Sequence, residues 1–200
     1  MGSARLLMLG CLMACGVTAF GQNYEYPPLS AAVRLRCFLK STLGPTAIAG
    51  GAVVAGWGTL FDDPKEYGTH WDGFGERYGL HVSQSATSNA MEAGIGAFWG
   101  EDPRYFPDVG QPFQTRLGHV IKYTFLTTNR DGQTMPAYAR YAAISGSNFT
   151  SNEWRPASQA NATDGGERIA LGFAGRMASN ANHEFMPGMM RHFSHKQNDH

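Results

Sequence analysis

Residues 41–61 read STLGPTAIAGGAVVAGWGTLF, 21 consecutive positions without a charged side chain. Arg34, Arg36 and Lys40 precede the stretch, and Asp62 and Asp63 follow it. Within it, Ala47, Gly51 and Ala55 recur at every fourth residue, as do Ala52 and Gly56. That spacing puts them on one face of an α-helix, where a partner backbone approaches closely because no bulk stands in the way. Upstream, Pro27-Pro28-Leu29 reads as an extended lead-in. Ser30 then supplies an N-cap for a helix carrying Val33, Leu35, Phe38 and Leu39, which Gly44-Pro45 punctuates.

The same small-residue pattern returns along the chain. Gly75, Gly79, Ser83 and Thr87 form one stripe, and Ala86, Ala90 and Gly94 another, on a helix ending near Trp99. Ala139, Ala143 and Ser147 mark a further helix, opened by Pro136 in its first turn. Ala170, Ala174 and Ala178 mark one more, closing near Phe185 before Pro187. Residues 113–126 also read as helix, although positions 120–127 are β-branched enough for a strand. Asn129-Arg130-Asp131-Gly132 is a turn, so a short hairpin is expected near residues 120–136. The fold predicted is mainly α: a Gly/Ala-rich helical bundle over residues 22–187, followed by a flexible Met/His-containing tail at 188–200.

Composition fits this picture. Two hundred residues make one domain, and 16 basic against 16 acidic residues leave no net charge. The pI near 7.1 excludes a polybasic nucleic-acid binder, so no nucleic-acid partner is expected. Charged residues reach only 16% where about 25% is usual, and Gly is 25 of 200 where about 7% is usual.

Residues 1–21 read as a secretory signal peptide, with Arg5 ahead of an apolar run and Ala19-Phe20-Gly21 at the cleavage site. An alternative takes Leu12-Met13-Ala14-Cys15 as a lipobox with Cys15 lipidated. In the first case Cys37 is the sole cysteine left, which excludes an internal disulfide. The protein is expected to be exported, to the periplasm or the outer membrane.

Two settings explain the stripes. In water they let helices pack tightly; in a bilayer they are a usual association surface, with Trp at the headgroups. Only residues 41–61 are long enough and uncharged enough to span, since Glu92, Arg140, Arg168 and Arg176 on the other helices are costly at mid-bilayer. Mean hydropathy of −0.30 favours a soluble or peripherally attached bundle, with the first uncharged helix as its spanning candidate.

No catalytic constellation emerges. The densest polar cluster, Glu101-Asp102-Pro103-Arg104-Tyr105-Phe106-Pro107, offers an acid, a base and an anion-binding arginine. It reads more simply as a helix stop in which Asp102 caps or pairs with Arg104 while Tyr105 and Phe106 anchor the next segment. His81 and His119 lie on predicted helices from which they could meet Glu92 across the bundle, but a lone helical His reads more simply as a satisfied core residue. No zinc, P-loop, nucleotide or nucleophile-elbow motif is present, so no catalytic or cofactor-binding residue is assigned. Met189, Met190, His192, His195 and His200 make weak copper-type candidates at the C-terminus. Structural or interaction roles fall to Gly51, Ala55, Gly75, Gly79, Asp102, Arg104, Tyr105 and Phe106.

The D-P-R-Y-F run at 102–106, the Gly118-His119 to Thr124-Phe125 segment and the late Trp154-Arg155-Pro156 and Phe185-Met186-Pro187 together carry a resemblance. Over residues 34–187 the chain resembles a family of uncharacterised exported bacterial proteins common in Acidobacteria. The resemblance implies export and transfers no catalytic residue. The function expected is a non-enzymatic cell-envelope bundle associating with a membrane or with envelope proteins, or with itself through its small-residue faces. The alternative is a periplasmic enzyme or metal binder using Glu101, Asp102, Arg104 and histidines.

Overall fold

The structure, a computed structural model, describes residues 29–156 and 158–198, and of residues 187–198 the backbone alone. The signal segment therefore lies outside the described residues. The protein is mainly α, with a small antiparallel sheet.

Helices α1 (Ala31–Leu43) and α2 (Pro45–Leu60) follow one another directly. Ser30 caps α1, its Oγ accepting from the Val33 amide at 3.3 Å. Gly44 takes an extended conformation that stops α1, and Pro45 opens α2 where no intrahelical donor is needed. A 3-10 turn (Lys65–Tyr67) leads to α3 (Trp71–Trp99), which runs back along both helices. Asn89 bonds Thr42 at 3.0 Å, while Gly51 lies against the rings of Tyr78 and His81. Arg77 clamps the connection, donating to the carbonyls of Asp63 at 2.9 Å, Pro64 at 2.7 Å and Gly68 at 2.6 Å. Gly100, at φ 86°, closes α3 in the left-handed conformation that glycine adopts without strain.

Strand β1 (Glu101–Asp102), helix α4 (Phe113–Phe125), strands β2 (Leu126–Asn129) and β3 (Thr134–Pro136), and helix α5 (Tyr138–Thr150) follow. A 3-10 turn (Ser151–Trp154) precedes the last helix, α6 (Ala162–Asn198). The strands lie in the order β1-β2-β3, with Glu101 opposite Asn129 and Leu126 opposite Pro136. The hairpin is present, but Val120 to Phe125 stay helical, because Val120 and Thr124 share the buried face of α4.

Two boundaries need correction. Pro136 does not open α5; it ends β3, and α5 starts at Tyr138 with the Ala139 amide bonded to Glu101 Oε1 at 3.0 Å. A carboxylate from a distant segment thus replaces the local start signal. Nor does the last helix close near Phe185. It continues through Pro187 to Asn198, a single proline removing one backbone donor while the adjoining turns keep theirs.

The small-residue stripes divide into two kinds. Ala139, Ala143 and Ser147 are buried on α5, and Gly51 and Ala55 are buried on α2. A Cβ at Gly51 would stand 3.0 Å from the His81 ring, so the close approach of α2 and α3 depends on glycine. By contrast, Gly75 and Gly79 face outward, and a Cβ on either would meet nothing within 4 Å. They lie two positions from Arg77, about 200° round the helix from that inward-facing side chain. Ala170, Ala174 and Ala178 are likewise exposed, since α6 turns Phe173, Asn180 and Glu184 inward instead.

Candidate functional site

The distribution of polarity is the feature from which any function must be built. Among the described residues, the buried apolar side chains are Ala55, Val120, Ala137, Ala139, Ala143 and Ile144. The buried polar ones include Arg34, Arg77, Glu101, Asp102, Arg140, Asn148, Asn180 and Glu184. Large apolar residues lie outside. Leu35, Leu39 and Leu43 follow a four-residue spacing on exposed α1, and Ile48, Val53, Val54, Trp57, Leu60 and Phe61 continue the surface along α2. The two helices together, Ala31–Leu60, are long and apolar enough to cross a membrane, and only 11% of their most apolar window is buried. Aromatic residues mark both ends of α3, Trp71 at 84% exposure and Phe98 at 88%. Twenty-seven residues of helix separate them by about 40 Å, close to a bilayer with its headgroups.

Inside the bundle one carboxylate gathers two arginines. Glu92 on α3 accepts from Arg140 on α5 at 3.2 Å and from Arg176 on α6. Arg140 also donates to the carbonyls of Tyr123 at 2.9 Å and Thr124 at 3.0 Å, closing the C-terminal end of α4. Arg168 bonds the Gln159 carbonyl at 2.7 Å and Asn152. Glu92 is therefore the arginines' partner. Neither His81 nor His119 is its partner: His81 packs on Gly51, and His119 joins a separate cluster.

The stop after α3 is built as the local chemistry dictates. Asp102 Oδ1 accepts from the Arg104 amide at 2.9 Å, and both its oxygens take the Arg104 Nε. The Arg104 guanidinium lies 5.1 Å from the Phe106 ring centre, and Tyr105 reaches Glu184 at 2.7 Å. Glu101 is 4% exposed and aims a carboxylate oxygen at the start of α5. Burial pushes its carboxyl up, with the Ala139 amide offsetting part of the rise. Both carboxylates are thus engaged in holding segments together.

A cluster that sequence reasoning did not find centres on Glu184. This wholly buried carboxylate accepts from Tyr105 Oη, from Arg116 Nε at 2.7 Å and from the Asp108 amide at 3.1 Å. Burial pushes its carboxyl up, but the donors from Arg116, Tyr105 and Asp108 hold it below the usual range. With the Tyr105 proton committed to Glu184, the 3.1 Å contact between Tyr105 Oη and His119 Nδ1 is satisfied only if Nδ1 donates. Nε2 is then the unprotonated nitrogen of a neutral ring. Burial keeps His119 neutral, outweighing the pull of Glu184. Tyr105, His119 and Glu184 share no sequence motif; the segment between β1 and α4, α4 itself and α6 bring them together.

Among the described residues, no group of three His, Cys, Asp or Glu side chains is placed to hold a metal ion. The side chains of Met189, Met190, His192, His195 and His200 lie outside the described residues. Of the interaction residues expected, Gly51 and Ala55 form the α2–α3 contact, Asp102, Arg104, Tyr105 and Phe106 form the stop, and Gly75 and Gly79 join neither. No family model, curated protein or solved structure matches the chain.

Proposed function

We propose that the chain is an exported, non-enzymatic cell-envelope protein whose helical bundle attaches to a membrane through the outer face of α1 and α2. One observation supports the reading above others: large apolar side chains cover that face while Glu92, Arg116, Arg140, Arg176 and Glu184 pair in the interior. Left in water, each such side chain forgoes up to about 1.5–3 kcal/mol of burial, in proportion to its exposed share. Lipid tails remove that penalty. On α3, α5 and α6, Glu92 takes Arg140 and Arg176 as partners, the arrangement in which ionisable groups persist near a bilayer, while Arg168 is held by the Gln159 carbonyl and Asn152. The leader at residues 1–21 and the resemblance to exported bacterial proteins support export.

Flotation with phospholipid vesicles tests attachment. The full chain is expected to rise with the vesicles, and the double variant Val54→Asp, Leu60→Asp to stay behind with an unchanged melting temperature. Complete recovery as a soluble monomer, indifferent to vesicles and detergent, would overturn the reading.

A further inference from the structure

A groove of about 630 Å3 lies between α3 and the two 3-10 turns, within the usual range of roughly 300–1,000 Å3 for small-molecule sites. Glu76, Leu80, Ser83 and Thr87 line it from α3, and the turns contribute Tyr67 and Trp154. The α3 residues follow the spacing of a single helix face. Both turns are fixed against that helix. Arg77 holds the Pro64 and Gly68 carbonyls on either side of the Tyr67 turn, and Arg155, beside Trp154, donates to Gln84.

The hydrogen-bonding character of the α3 wall is one-sided. Ser83 Oγ donates to the Gly79 carbonyl at 2.8 Å, and Thr87 Oγ1 to the Ser83 carbonyl at 2.9 Å. A hydroxyl has one proton to give, so both present only lone pairs to the groove. Glu76 is exposed, accepts only, and has no ion-pair partner among the described residues. The cations nearby are already committed, Arg77 to three carbonyls and Arg155 to Ser151, Gln159 and Gln84. Asp72, one turn before Glu76 on the same face, adds negative charge that a bound cation would offset. Tyr67 and Trp154 add aromatic rings, on which ammonium groups and methylenes both pack.

We propose that this groove binds a linear aliphatic polyamine, with one ammonium on Glu76, a further nitrogen donating to Ser83 and Thr87, and the methylenes along Leu80 and Trp154. About 16 Å of helix separates Glu76 from Thr87, so one ammonium does not serve both ends. A single lining carboxylate is too few charged oxygens for a hard divalent cation. This site goes beyond the membrane reading and does not depend on it.

The test is calorimetric titration of spermidine into the purified full chain, at physiological salt so that diffuse surface attraction is screened. Saturation at one spermidine per chain is expected, with Glu76→Gln about tenfold weaker or more at an unchanged melting temperature. Glu153→Gln, next to Trp154 but outside the lining, is expected to stay within about twofold of the parent. Thr87→Val keeps the shape, removes the acceptor and should weaken binding about threefold or more. Hexamethylenediamine should bind about fivefold or more tightly than hexamethonium, its quaternary counterpart without N–H. Equal losses in Glu76→Gln and Glu153→Gln would overturn the proposal, as would parent-like binding by Thr87→Val or equal affinity for the two diamines. So would absence of binding at millimolar spermidine. Tighter binding of a lysine tripeptide than of spermidine would overturn it too, by assigning the groove to a basic protein segment.

Discussion

Glu184 and Arg116 stand 68 residues apart in the chain and 2.7 Å apart in space. The carboxylate is inaccessible to solvent, and Tyr105 and the Asp108 amide share it. Glu184→Gln keeps the shape but leaves a half-buried guanidinium without its counter-ion. The expected loss is about 3 kcal/mol, read from urea unfolding. A loss under about 1 kcal/mol would mean that water already solvates this cluster.

The pH dependence follows in part from the same cluster. His119 is held below the ordinary imidazole value and Glu184 below the ordinary carboxylate value. A group whose folded value is depressed contributes stability above its unfolded value and loses it as pH falls. Stability should therefore decline in two steps, below about pH 6.5 through His119 together with His81 and His183, which burial also lowers, and below about pH 4 through Glu184 and the arginine-paired Glu92. Glu101 is shifted upward, so its contribution is full in acid and is lost as pH rises through its folded value, opposing the second step. His119→Gln should reduce the first step. Unfolding midpoints at about pH 7.5 and about pH 5 check it, and an equal difference in variant and parent would remove His119 as a cause.

Two glycines of equal spacing should respond oppositely to alanine. Gly51→Ala pushes a methyl to 3.0 Å from the His81 ring and should destabilise by about 1–3 kcal/mol. Gly75→Ala meets open space in a helix and should stabilise by about 0.5–1 kcal/mol. Thermal unfolding of the pair decides whether both stripes or one makes a helix contact.

Arg140 links three helices, through Glu92 on its own side and the α4 carbonyls on the other. Arg140→Met should cost about 3 kcal/mol or more by stranding those carbonyls and halving the Glu92 pairing. Arg140→Lys retains the charge but loses the fork, and should recover only part. Full recovery by lysine would reduce the role of Arg140 to charge alone.

What the sequence reveals here is local. The Ser30 cap, the break at Gly44-Pro45, the close of α3 at Gly100 and the Asp102–Arg104 stop each depend on residues within four positions of one another. Such signals can be read without knowing the fold. The spacing of Gly75 and Gly79 identifies a helix face but not whether a neighbour covers it, which is why it resembles that of Gly51 and Ala55. The start of α5 follows Glu101, 38 positions upstream of the amide it caps, so the local preference of Pro136 misleads. The Glu184 cluster has no spacing to find, because its partners lie 68–79 positions away.

The Arg77 clamp bears on the order of events during folding. Its three carbonyl partners lie 9–14 positions away, so the α2–α3 hairpin is encoded almost entirely within itself. Short loops close quickly, whereas the Glu184 contacts must wait for the far end of the chain. The apolar hairpin should become protected first and α6 should dock last. Pulsed hydrogen exchange during refolding reads that order, and simultaneous protection of both regions would refute it. An emerging chain would then present its greasy hairpin to the environment before its ionic latch exists to lock it.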